Sequence, residues 1–83
     1  MDRSATNDFA LKIFLHGELA RIRIFVDMRR ASCRMGHSDE ADIAKAKAIT
    51  ALVELRRTLQ FLPEGERLPI AQNASALELE LVG

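Results

Sequence analysis

The sequence predicts an all-α fold: a two-helix antiparallel hairpin over residues 1–62, then a Pro/Gly-containing connector and acidic amphipathic tail over 63–83. Three observations predict it. Apolar residues recur at spacings of three and four over 39–62 and, along two separate seams, over 8–35. Gly36 and Pro63 fall where those two runs end. The first run carries more apolar surface than one other long helix can cover. Two copies are therefore expected to pair into a four-helix bundle.

The first helix is expected from about Asp8 to Met35, capped by Thr6 or Asn7 and ended by Gly36 in the left-handed conformation. One seam consists of Leu11, Leu15, Leu19, Ile22 and Val26, with Phe14 and Phe25 beside it. The other consists of Ala10, Ile13, Gly17, Ala20, Ile24, Met28 and Ala31, whose small members suit close approach by a neighbour. Between them runs a polar stripe of Lys12, His16, Arg23, Asp27 and Arg30. The same residues also alternate: Leu11, Ile13 and Leu15, then Ile22, Ile24, Val26 and Met28, around His16-Gly17-Glu18. That alternation would give an α+β alternative, a β-hairpin over 10–28 under one helix with a C-terminal strand. Good helix formers at Glu18–Arg21 and Met28–Ala31, and the absence of an Asn-Gly turn, favour the helix.

The second helix is expected over Asp39–Leu62, with Ser38 as its N-cap and acids Asp39, Glu40 and Asp42 at the positive end of its dipole. Ala41, Ala44, Ala48, Leu52, Leu55, Leu59 and Leu62 form its apolar stripe. Beyond Pro63, the residues Gly65, Pro69 and Asn73 interrupt any period, so 63–76 reads as a connector. The final 76–82 alternates leucine with glutamate and reads as a short strand or a helical turn or two.

Composition narrows the functional classes. At 83 residues the chain forms one small unit, and such a unit buries only about 60% of its unfolded surface. Cys33 is the only cysteine, so no disulfide supplements the core, and a reducing, cytoplasmic setting is expected. Apolar runs such as Ile13-Phe14-Leu15 stop at three residues, which argues against a signal peptide or membrane span. With no Trp or Tyr and four Phe, the chain lacks the aromatic platform on which single-stranded nucleic acid stacks. The net charge is zero but uneven, +3 over residues 1–37 and −3 over 63–83, so front and tail can attract each other. Nine Arg against three Lys, with twelve Ala, fits a GC-rich bacterial origin.

No motif for catalysis, phosphate binding or metal binding is present, and no cofactor or metal is expected. Asn73-Ala74-Ser75 matches a glycosylation triplet of a kind that arises often by chance. Cys33 and His37 are four apart, which on a continuous helix would let a thiolate and an imidazole share a metal or act as a thiol sensor. Gly36 is expected to separate them. Arg23, Arg29, Arg30 and Arg34, with Arg21, could contact phosphate in a small DNA-binding regulator. The plainer reading pairs Arg21 with Glu18 and Arg23 or Arg30 with Asp27. Moreover, the acidic start of the second helix would repel DNA.

The expected function is therefore a non-enzymatic protein–protein interaction, as adaptor, chaperone or inhibitor of a regulator. The partner would meet Ile13, Gly17, Ala20, Ile24 and Met28 on the second seam, and Leu77, Leu79 and Leu81 on the tail.

Overall fold

The computed structural model describes the backbone of residues 3–82 and the side chains of residues 7–82. It is all-helical, with three helices instead of two: α1 (Arg3–Arg34), α2 (Ser38–Leu59) and α3 (Glu64–Val82). The described residues include no strand, so the hairpin over 10–28 is excluded. The helices run up, down and up in a rod of 54 × 17 × 15 Å. Short connections force antiparallel neighbours, and α3 consequently runs parallel to α1.

The α1–α2 turn follows from Gly36. Its φ of +76° is the left-handed value that glycine adopts without a Cβ clash. His37 N donates to Ser32 O at 2.8 Å and Gly36 N donates to Cys33 O at 3.2 Å, the two bonds of a Schellman motif. His37 then serves as the N-terminal flanking residue of α2, without a side-chain cap, and Ser38 becomes the first helical residue. The expected Ser38 cap is displaced because the motif uses up the chain as far as His37. Gly36→Ala is expected to destabilise the fold by about 1–2 kcal/mol through the left-handed φ alone, measured by urea denaturation.

Thr6 and Asn7 do not cap α1; the helix begins at Arg3 and runs through them. Nothing between Arg3 and Asn7 breaks a helix, so the cap-forming residues are simply absorbed.

The larger correction concerns the C-terminal segment. Residues 64–82 are neither connector nor strand but a helix of five turns. Ile70, Ala74, Leu77 and Leu81, spaced four, three and four, bury one face of α3. Pro69 lies inside the helix, where it removes one backbone donor and crowds the carbonyl of Gly65. Packing of the four apolar residues offsets that penalty. Arg67, in the first turn of α3, ties that helix back to the connection after α2: its Nε donates to Leu62 O at 2.7 Å and its Nη2 to Gln60 O at 3.1 Å. Gln60 is the C-cap of α2, so its carbonyl is one that the ending helix leaves without a partner.

The core joins the first α1 seam (Leu15, Leu19, Ile22, Val26) to the α2 stripe and to α3. All seven residues expected on that stripe, Ala41 through Leu62, are buried. Because α3 joins this core, the expected two-helix hairpin gives way to three helices in one chain.

Candidate interaction surface

One face of α1 builds the core, and the opposite face carries the second seam. Residues 13, 17, 20, 24, 28, 31 and 35 follow spacings of four and three that return every eleven residues. Eleven residues in three turns nearly match the helical period, so the seam runs straight along the rod. Ile13, Ile24 and Met28 are 58%, 57% and 51% exposed, and Gly17, Ala20, Ala31 and Met35 are exposed with them. Scattered exposed apolar residues are ordinary; a contiguous line of them is not. Phe9 and Phe14, also exposed, flank the seam. Met28 additionally lines a groove of about 200 Å³ between α1 and α2 with Ser32 and the exposed Ile43.

Gly17 sharpens the picture. A Cβ added there meets nothing within 4 Å, so the bundle itself does not require glycine. Glycine inside a helix costs about 1 kcal/mol relative to alanine. The room it leaves opens outward.

The tail residues divide. Leu77 and Leu81 sit in the core, so they are not surface residues as the alternation had led one to expect; only Leu79 faces outward. Residues four apart share a helical face, while Leu79, two from each, turns away.

The arginine cluster is gathered by an acid that sequence reasoning did not pair with it. Arg23 meets Glu80 with contacts of 2.8 and 3.1 Å, Arg30 ion-pairs with the same carboxylate, and Arg29 donates to the backbone carbonyl of Glu80 at 3.1 Å. The last contact caps the end of α3. Arg21 pairs with Glu18 at 2.9 Å and Arg23 also reaches Asp27 at 3.6 Å, as expected. Lys12–Glu66 at 2.6 Å and Arg56–Glu78 add further ties from α1 and α2 to α3. The basic front and acidic tail thus meet within one molecule. Of the four arginines singled out for phosphate, only Arg34 stands clear of Glu80, and a phosphate would have to displace a carboxylate already held by two guanidinium groups.

Hydrogen bonding from Arg23 is the largest influence holding the Glu80 carboxyl below its ordinary value of 4.5; desolvation, next in size, opposes it, and the hydrogen bond from Arg30 and the charges of both arginines add to the lowering. The Arg23 guanidinium is raised in turn, chiefly by its hydrogen bond to Glu80. A depressed carboxyl stabilises the fold above its unfolded pKa and loses that contribution as pH falls through the folded value. The wild type is therefore expected to lose more stability between pH 5 and pH 3 than Glu80→Gln does, read from urea midpoints at each pH. The raised Arg23 guanidinium is the other side of the same pair, so its share is lost together with the Glu80 charge and adds no separate contribution in that window.

Cys33 is exposed and shares a cleft of about 390 Å³ with Arg29, Arg30, Arg34 and Glu80. His37 lies beyond the Gly36 turn with Nδ1 3.4 Å from Glu40, so the turn separates the pair as expected. Among the described residues, no three His, Cys, Asp or Glu side chains converge as a metal site, and no helix is long and apolar enough to cross a membrane. The chain matches no family model, no curated protein and no solved structure.

Proposed function

We propose that this chain is a non-enzymatic protein–protein interaction protein whose working surface is the outward face of α1. The observation that carries the reading is the straight line of Ile13, Ile24 and Met28 on the side of α1 opposite its core seam. Maintaining large apolar side chains in water along a rod already filled by its own α2 and α3 has no purpose in the fold. The alternation of large residues with Gly17, Ala20 and Ala31 supports a second helix laid lengthwise, with side chains entering the gaps. An adaptor, chaperone or inhibitor would each use such a face.

The arginine cluster supports intramolecular bracing better than contact with nucleic acid, because Glu80 engages three of its members. A photo-reactive residue at position 24, in cells expressing the chain, is expected to give defined protein adducts. The same residue at position 72, on the exposed side of α3, is expected to give none. Equal adducts from both positions, or none from 24, would remove the reading.

A further inference from the structure

Resting on the reading of the α1 face just given, we propose that its occupant is a second copy of this chain. The two α1 helices lie antiparallel across a two-fold axis at about the level of Ile22. The order of side-chain sizes carries this inference. Turned end for end, the seam sets Ala10 opposite Met35 of the second copy, Ile13 opposite Ala31, Gly17 opposite Met28 and Ala20 opposite Ile24. Every layer then joins one large residue to one small one, which is how facing helices interdigitate at close range. Each pairing occurs twice, as a two-fold interface requires. Parallel, in-register copies would oppose Gly17 to Gly17 and Met28 to Met28. They would leave voids in some layers and crowd others.

Charge selects the same orientation. In α1, residues 7–19 carry Asp8, Lys12 and Glu18, a net of −1, whereas residues 20–34 carry five arginines and Asp27, a net of +4. Antiparallel copies bring unlike halves together; parallel copies bring the arginines side by side. At the edges of the seam, the same register places exposed His16 level with Asp27 of the second copy. It also places exposed Phe9 level with Arg34, an arginine that Glu80 does not engage. Gly17 is where the two helices come closest, which accounts for a glycine that the monomer does not need.

From Ala10 to Met35 the seam is about 37 Å long and about 10 Å wide, roughly 700–800 Å² over both copies. That is below the size of standard specific interfaces, so the dimer is a weak one that should dissociate on dilution.

The test uses the full chain with Cys33→Ser as background. Gly17→Cys and Met28→Cys chains are made separately, mixed and oxidised gently. Neither site is needed for the fold, since position 17 has open space and Met28 is half exposed; circular dichroism checks this. Antiparallel pairing is expected to yield mainly the mixed 17–28 disulfide. Two copies of position 17 would lie about 16 Å apart along the axis, far beyond bridging distance. Sedimentation of the wild type should show a dimer at high concentration and a monomer on dilution. Predominant 17–17 and 28–28 disulfides would overturn the antiparallel arrangement and leave α1 as a docking face. No disulfide, with a wild-type monomer at every concentration, would overturn self-pairing altogether. The interaction reading would then stand or fall separately on position-24 adducts of other proteins.

Discussion

Leu77→Ala is expected to destabilise the protein by about 2–5 kcal/mol, whereas Leu79→Ala changes stability by no more than about 0.5 kcal/mol. The two leucines are two residues apart in a stretch that alternates perfectly with glutamate. If the stretch were a strand or a free tail, they would behave alike. On α3 they do not: Leu77 is 4% exposed and packs in the core, and Leu79 is 73% exposed. Removing Leu77 leaves a cavity against α1 and α2, and a domain of this size has little stability to lose. Chemical denaturation of the two variants measures the difference directly. Similar midpoints would mean that α3 does not complete the core.

Ile13→Glu with Ile24→Glu is expected to leave helix content and unfolding midpoint close to wild type while weakening association through α1 by about 100-fold or more. Both side chains are more than half exposed, so charging them removes nothing from the bundle. In a complex, however, the two glutamates would be buried without partners. The neighbouring position gives the contrast. Ile22, fully buried, is expected to lose about 2–5 kcal/mol on truncation to alanine. Denaturation and sedimentation of the two variants separate the faces of one helix: Ile22→Ala moves the first measurement, the double glutamate variant the second.

Where periodicity was long and uninterrupted, the helices were legible. The α2 stripe and the α1 core seam from Leu15 to Val26 could be placed on their buried faces, because three-and-four spacing persists over about four turns in α1 and more in α2. The Gly36 turn was legible too, because a left-handed residue after a basic helix end is a strong local signal. The third helix was not. Pro69, Gly65 and Asn73 lower its intrinsic propensity, and the alternation of Leu77 to Leu81 imitates a strand. Only packing against two formed helices makes that segment helical, which local preference does not report.

The candidate surface divides along the same line. That α1 had two apolar seams could be read from spacing, but which one faced outward depended on α3. Leu77 and Leu81 moved from candidate surface to core for the same reason. Glu80 was invisible as the hub of the arginine cluster because it lies 50 or more residues from Arg23, Arg29 and Arg30. The opposite charges of the two ends were the only available sign of that contact.

On the proposed function, α1 works with both sides, one holding the bundle and the other reserved for an incoming helix. Single cysteines at positions 22 and 24, in the Cys33→Ser background, test it through their rates of maleimide labelling at low and high protein concentration. Labelling at 22 is expected to be slow throughout. At 24 labelling is expected near the rate of a free thiol in dilute solution, slowing at least tenfold when the chain is concentrated. Equal rates at 24 in dilute and concentrated samples, or a position 22 as reactive as 24, would contradict the proposal.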